Sequence, residues 1–85
     1  MVVKVQPREM LQELGLKVTR SREAVISVLQ NSSNPLTHLE LMEKLPKDES
    51  WDRVTVYRTL SELEEKKVLR SVSSNERITY FELVG

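Results

Sequence analysis

The chain contains no cysteine, and this absence excludes several kinds of chemistry at once. Without cysteine the chain cannot form a disulfide, bind a metal through a thiolate or use a cysteine nucleophile. Its single histidine, His38, cannot complete a tetrahedral metal site by itself. No nucleophile–base pair or glycine-rich phosphate loop is evident, so an enzyme is not expected. The sequence also lacks a signal peptide and any apolar run of the ~18 residues that a membrane span requires, which is compatible with a cytoplasmic protein.

Glycine and proline are scarce, at two and three residues, as in an ordered and helix-rich chain. A length of 85 residues allows one modest core, so we predict a single domain over residues 1–85. A basic surplus is also missing, because 13 basic and 13 acidic side chains give a net charge of zero. This balance argues mildly against nucleic-acid binding. A neutral total can nevertheless conceal one basic face, so the distribution of charge matters more than the sum.

The first predicted helix begins at Pro7, because proline suits the first position of a helix. Met10, Leu11 and Leu14 follow at helical spacing and are expected to form an apolar stripe that faces the core or an interface. Gly15 is expected to end the helix, since glycine is the residue most often found just past a helix C-terminus.

Two further helices are bounded by capping and loop signals. The second helix is predicted to follow Thr19 and to end in the polar loop over residues 31–35. Thr37 and Glu40 have the spacing of a capping box, in which each side chain accepts a hydrogen bond from the other residue's backbone N–H. They predict the start of a third helix, which Pro46 ends.

A fourth helix is predicted from Arg53 to about Lys67, with Asp52 as its N-cap. The apolar period then changes to two, which predicts strands over residues 68–72 and 77–83. Helix, turn, helix and hairpin is the order of a winged helix-turn-helix. The expected fold is therefore mostly α, with four short helices followed by a two-stranded wing.

The N-terminal half of the fourth helix has the side chains that major-groove recognition requires. Arg58 can reach guanine O6 and N7, while Thr55 and Tyr57 can contact thymine methyl groups or phosphates. The C-terminal half of the helix is acidic and would be repelled by phosphates, so the expected contact is confined to residues 53–58. Trp51, just before the helix, is expected to anchor the core rather than to stack on a base.

A second basic cluster, Lys17, Arg20 and Arg22, lies at the start of the second helix. We expect it to contact phosphate or the minor groove. Arg20 and Arg53 are more typical of phosphate contacts than of base recognition. The alternatives are ordinary surface charge for Lys17 and an ion pair with a nearby glutamate for Arg22.

Several segments of the chain match one known pattern, namely residues 15–19 with Arg22, 35–37, 54–60 with 63–65, and 80–83. Together they resemble the DNA-binding half of the ferric uptake regulator family. The resemblance implies a bacterial repressor in which Tyr57 and Arg58 read the major groove and Lys17 reaches a minor groove. It also implies a cytoplasmic, nucleoid-associated protein that binds duplex DNA at a pseudo-palindromic operator.

The sequence departs from the family pattern in its regulatory half. Family members normally continue into a second domain that dimerises and binds metal, and this chain ends where that domain would begin. No cofactor is therefore expected here, and iron, zinc or manganese binding and homodimerisation are expected only with a second domain. The loop that supplies a metal-binding histidine in some members reads Asn34-Pro35, and His38 is expected to face solvent.

A second function stays open, namely a winged-helix protein–protein interaction module that has lost DNA binding. The acidic half of the fourth helix and the zero net charge favour it. Under the DNA-binding hypothesis, the expected contact residues are Lys17, Arg20, Arg22, Arg53, Thr55, Tyr57 and Arg58.

Overall fold

The computed structural model describes residues 5–84, and within them it contains four helices and one antiparallel hairpin. This arrangement confirms the predicted winged helix-turn-helix. The predicted domain, residues 1–85, extends beyond the described part at residues 1–4 and at residue 85. The helices are α1 (Pro7–Glu13), α2 (Arg20–Gln30), α3 (His38–Lys44) and α4 (Arg53–Glu65), and the strands are β1 (Leu69–Ser73) and β2 (Thr79–Leu83).

The predicted N-caps of α2, α3 and α4 are all confirmed. Thr19 accepts a hydrogen bond from the backbone N–H three residues on, at 3.1 Å. At α3, Thr37 and Glu40 form both hydrogen bonds of a capping box, at 2.9 and 3.1 Å. Asp52 caps α4 through its carboxylate. Each cap satisfies an N–H that the helix itself leaves unpaired, so these side chains fix where each helix begins.

The end of α1 confirms the role of Gly15 but corrects that of Leu14. Gly15 adopts φ +70°, its N–H donates to Gln12, and the N–H of Leu16 donates to the carbonyl of Leu11. This pair of bonds is a Schellman motif, which turns the chain out of the helix. Leu14 lies in that turn and is 52% exposed, so it does not belong to the buried stripe, whereas Leu11 is fully buried.

The same motif ends α4 two residues earlier than predicted. Lys67 adopts φ +63°, its N–H donates to Glu64, and the N–H of Val68 donates to the carbonyl of Leu63 at 2.9 Å. A lysine occupies the position that usually carries glycine, which hid the helix end in the sequence. Leu63 and Val68 are both buried, the apolar contact that commonly accompanies this motif.

The first strand of the wing begins one residue later than predicted, and the second strand is two residues shorter than predicted. β1 and β2 pair antiparallel, with Leu69 opposite Leu83 and Ser73 opposite Thr79. Arg77 was expected to begin the second strand, but it adopts φ +64°, which is incompatible with a strand. It lies instead in the turn, where its N–H donates to the carbonyl of Ser74.

A two-bond β-bridge joins the wing to the segment that precedes α3. The N–H of Leu36 donates to Phe81 at 2.9 Å, and the N–H of Phe81 donates back to Leu36 at 2.7 Å. Both side chains are buried in the core. The wing is thus fixed relative to the helix-turn-helix by backbone hydrogen bonds as well as by packing.

The inner faces of the helices and the hairpin surround one hydrophobic core. Within this arrangement, α4 packs mainly against α2. From α4, Val56, Leu60 and Leu63 are buried. The buried apolar residues among those described are Leu11, Val25, Ile26, Leu29, Leu36, Leu41, Leu45, Val56, Leu60, Leu63, Val68, Leu69 and Phe81.

A chain of two hydroxyl groups crosses the contact between α2 and α4. Thr59 is 4% exposed, and its hydroxyl donates to the carbonyl of Thr55 at 2.9 Å. Because a hydroxyl has one hydrogen, Ser21 must be the donor in the 2.7 Å bond between Ser21 and Thr59. The two helices are therefore joined by a directional bond within an otherwise apolar contact.

We predict that Thr59→Val lowers the free energy of unfolding by about 1–2 kcal/mol, because the hydroxyl of Ser21 loses its acceptor in a part-buried site. The double variant Ser21→Ala/Thr59→Val should regain much of this loss, since it removes both polar partners. Urea unfolding of the two single variants and the double variant measures the coupling. Equal stability of Thr59→Val and the unsubstituted chain would show that the bond contributes nothing.

Candidate nucleic-acid interface

The solvent-facing side of α4 brings together the residues predicted to contact DNA. Arg53, Thr55, Tyr57 and Arg58 are all exposed, and Tyr57 is 56% exposed. Val54, on the same side, is 60% exposed. Large side chains with an apolar body and no core contact are typical of a recognition surface when they adjoin charged groups. The structure thus places four of the seven predicted residues on one surface.

The N-terminus of α4 uses the hydroxyl of Thr55 for capping. The same oxygen of Asp52, Oδ2, accepts from the backbone N–H of Thr55 at 3.0 Å and from its hydroxyl at 2.9 Å. The hydrogen of that hydroxyl is therefore unavailable to a phosphate oxygen while the cap is intact. What Thr55 still offers to a ligand is its methyl group and the free acceptor capacity of its oxygen.

These contacts also stabilise the charged form of Asp52. The hydroxyl of Thr55 first, and then its backbone N–H, lower the pKa of Asp52 below its ordinary value of 3.8. The N–H of Val54 and the positive charge of Arg58 act in the same direction, and desolvation opposes them more weakly than the bonds to Thr55. The cap is thus coupled electrostatically to one of the predicted DNA contacts.

Arg20 is held between an acidic and an aromatic side chain. Its guanidinium lies 2.6 Å from the carboxylate of Glu49 and 4.7 Å from the ring centroid of Trp51. Trp51 packs against the core, as predicted, and its indole N–H donates to the carbonyl of Pro46 at 2.9 Å. The guanidinium stacks on the indole in a cation–π contact, so Arg20 links the start of α2 to the segment before α4.

Arg22 joins the start of α2 to the second half of α4. It donates to the carbonyl of Lys17 at 2.8 Å and to the carboxylate of Glu62 at 3.2 Å, and its side chain is only 18% exposed. The ion pair is the alternative that the sequence left open for this residue. A contact between Arg22 and DNA stays a prediction.

Three of the basic residues predicted to contact DNA have no acidic partner within residues 5–84. Within residues 5–84, no ion pair involves Lys17, Arg53 or Arg58. All three are exposed. They are the predicted contact cations that an incoming anion can approach without displacing a carboxylate.

His38 was expected to face solvent, but it is half-buried. Its ring meets the ring of Tyr57 edge to face, with centroids 5.5 Å apart and planes at 82°. Its Nε2 is buried and has no hydrogen-bond partner among the described residues. Sequence reasoning missed this contact, as it missed Glu49 and Glu62 as partners of Arg20 and Arg22. No local signal could have revealed them, because each pair joins elements that are distant in sequence.

The described residues do not fit a metal centre. Across residues 5–84, no three His, Cys, Asp or Glu side chains are placed to share an ion. His38 packs on an aromatic ring, and the loop before it, residues 31–35, contains no histidine, cysteine or carboxylate. In the same part of the chain, no helix has both the length and the apolar character of a membrane span.

The recognition-type helix on an apolar body, its preceding helix and turn, and the bridged hairpin together define a winged helix-turn-helix domain. Comparison with known proteins then gives the family. The profile of the Ferric uptake regulator family matches residues 13–85, and the chain belongs to this family.

Individual relatives agree with this assignment. The Ferric uptake regulation protein of Campylobacter upsaliensis is 34% identical over 80 residues, which cover 89% of this chain and 51% of the relative. The crystal structure of the Vibrio cholerae ferric uptake regulator is 29% identical and matches with a TM-score of 0.82, over 92% of this chain and 61% of that one. The Helicobacter pylori regulator is 28% identical with a TM-score of 0.73, over 89% and 51%. The chain thus spans about half the length of the curated relative it matches.

The lowered pKa of Asp52 predicts a stability contribution that depends on pH. A depressed pKa in the folded state stabilises the fold above the unfolded value of 3.8 and ceases to do so as pH falls through the lower, folded value. Asp52→Asn keeps a capping oxygen but loses the charge. We expect the unsubstituted chain to be more stable than Asp52→Asn at pH 7 and this difference to shrink below pH 3.8.

Thermal unfolding of both proteins from pH 7 to pH 2.5 provides the measurement. Asp48→Asn is the matched control, because Asp48 is an exposed carboxylate of the preceding turn with no hydrogen bond or ion pair within residues 5–84. A stability difference between the unsubstituted chain and Asp52→Asn that is independent of pH would contradict the electrostatic role of the cap.

Proposed function

We propose that this chain is a sequence-specific duplex DNA-binding domain of a bacterial transcriptional regulator, with α4 as the helix that enters the major groove. The observation that carries the proposal is the presentation of Tyr57 and Arg58 on the exposed side of a helix whose other side is buried. Lys17, Arg53 and Arg58 have no ion pair in the described residues, 5–84, and supply local positive charge despite the neutral total. Family membership supports the same function, and the solved Vibrio cholerae relative is described as having DNA-binding domains.

Three exposed residues of α4, namely Thr55, Tyr57 and Arg58, then have distinct roles. Arg58 donates two hydrogen bonds to one guanine, the commonest specific contact in the major groove. Tyr57 contacts a neighbouring base or phosphate. Thr55 presents its methyl group to a thymine, because its hydroxyl hydrogen is engaged by Asp52.

The remaining basic residues fix the position of the domain on the backbone. Lys17 reaches phosphate or the minor groove beside the major-groove site, and Arg53 contacts phosphate. Arg20 and Arg22 contribute mainly by holding the start of α2, because both guanidinium groups are paired with glutamates. A phosphate contact by Arg20 would require exchange of Glu49 for the phosphate.

Dimerisation and metal response belong, in this proposal, to a second domain of the longer regulator. The matched relatives are longer than this chain, and the Helicobacter pylori relative is described as having three functional metal-binding sites. We propose that residues 1–85 read one half of a pseudo-palindromic operator in the cytoplasm. A second linked reader would raise affinity through effective concentration, so the isolated chain binds weakly.

A protein-docking role is the second candidate. Leu39 on α3 and Val54 on α4 are 59% and 60% exposed, and such apolar side chains can also bind a protein partner. The acidic second half of α4 would then face that partner instead of solvent. The dependence of DNA binding on salt separates the two candidates.

We predict that log K for duplex DNA falls linearly with log salt concentration, with a slope of about −3 to −5 from the release of counterions. Lys17→Ala should make the slope less steep by about one, since one phosphate contact is lost. Lys66→Ala, at the opposite end of α4 from the predicted contacts, is the matched control and should leave the slope unchanged. Fluorescence anisotropy at several salt concentrations gives the slopes. No complex at low salt would exclude the DNA-binding proposal and favour the docking role.

We also predict that Arg58→Ala weakens binding by about 1–3 kcal/mol and abolishes preference at one base pair, because the two bonds to a guanine are lost. Lys17→Ala should weaken binding to all sequences about equally, since a backbone contact carries little sequence information. Competition with duplexes substituted at each position in turn measures both effects. If Arg58→Ala leaves both affinity and preference unchanged, the assignment of this part of α4 to the major groove is wrong.

A further inference from the structure

We propose that His38 is a positioning residue that fixes the orientation of Tyr57 and thereby the base preference at the site Tyr57 reads. The proposal rests on the DNA-binding function proposed above. It begins from the edge-to-face contact of the two rings, whose centroids are 5.5 Å apart and whose planes meet at 82°. This contact crosses the helix-turn-helix, from the first residue of α3 to the middle of α4.

Tyr57 needs such a support because little else holds it. The residue is 56% exposed, and its ring contact with His38 is the one contact of this kind found within residues 5–84. No hydrogen bond of its hydroxyl is found in that part of the chain. An exposed side chain samples several rotamers, and ordering it on binding reduces affinity. A ring packed against it before binding reduces that loss.

His38, by contrast, is well placed to act as the fixed partner. It directly follows Thr37, whose capping box with Glu40 fixes the first turn of α3. Two residues before His38, the backbone of Leu36 is bridged to Phe81 of β2. The backbone that carries the imidazole is therefore constrained on both sides.

The imidazole of His38 could act on Tyr57 through its ring shape or through a hydrogen bond, and its surroundings favour the ring shape. Nε2 is buried without a hydrogen-bond partner among the described residues, and a buried unpaired polar atom destabilises a fold. The ring shape is therefore what His38 contributes to Tyr57. His38→Phe should keep the ring contact and should be at least as stable as the unsubstituted chain.

The inference predicts that His38→Ala weakens DNA binding about two- to fivefold and reduces preference at the base pair that is sensitive to Tyr57→Ala. Preference at the base pair read by Arg58 should not change. His38→Phe should restore both affinity and preference, whereas His38→Gln should not. Leu39→Ala is the matched control, since Leu39 is the next residue of α3, is 59% exposed and carries no aromatic ring.

A double-mutant cycle tests whether His38 acts through Tyr57. Dissociation constants are measured for the unsubstituted chain, His38→Ala, Tyr57→Ala and the double variant. We expect the two- to fivefold loss from His38→Ala to disappear in the Tyr57→Ala background. The same loss in both backgrounds, or failure of His38→Phe to restore binding, would overturn the inference.

A measurement without DNA separates this inference from the proposed function. In the free chain, the NMR signals of the Tyr57 ring should shift in His38→Ala and stay near their original positions in Leu39→Ala. If the unsubstituted chain does not bind duplex DNA, the proposed function fails and this inference fails with it. If DNA binds but the Tyr57 signals do not move in His38→Ala, the inference alone is overturned.

Discussion

The packing of α4 against α2 is the contact on which the proposed interface depends. Val56, Leu60 and Leu63 lie on one side of α4 and are buried in the core. Because the opposite side of the helix must then face solvent, their burial decides which side chains are exposed. The hydroxyl bond from Ser21 to Thr59 adds direction to this contact, because a hydrogen bond, unlike apolar packing, tolerates little rotation or sliding. The exposure of the proposed DNA-binding side of α4 is thus a consequence of core packing.

Ion pairs with two glutamates determine which of the predicted contact arginines keep an uncompensated positive charge. Glu49 and Glu62 pair with the two arginines of α2, so those guanidinium groups brace the fold around α4. Exposed ion pairs stabilise a fold only slightly, so their main effect here is on where unpaired positive charge remains. Among the predicted contact residues, the cations without an ion pair within residues 5–84 are Lys17 and, in the first part of α4, Arg53 and Arg58, while the second part of α4 is acidic. A polyanion can therefore approach one half of this helix and is repelled by the other.

The fold could be predicted from local sequence signals, whereas contacts between segments that are distant in sequence could not be predicted. Capping residues such as Thr37 and Asp52 act within three or four positions, so the sequence displays both the cap and its partner. The end of α4 was placed two residues late because Lys67, and not glycine, takes the left-handed conformation. The buried side of α4 follows from the helical spacing of Val56, Leu60 and Leu63. The edge-to-face contact of His38 depends on how α3 crosses α4, which no periodicity encodes.

The short segment from Leu36 to His38 connects three parts of the proposed interface. Its first residue forms the backbone bridge to the wing, its second caps α3, and its third supports the ring of Tyr57. A shift of this segment would therefore move the wing and Tyr57 together, because backbone hydrogen bonds and a capping box restrict their relative movement. The wing and α4 are thus coupled by three consecutive residues, in addition to the core that they share.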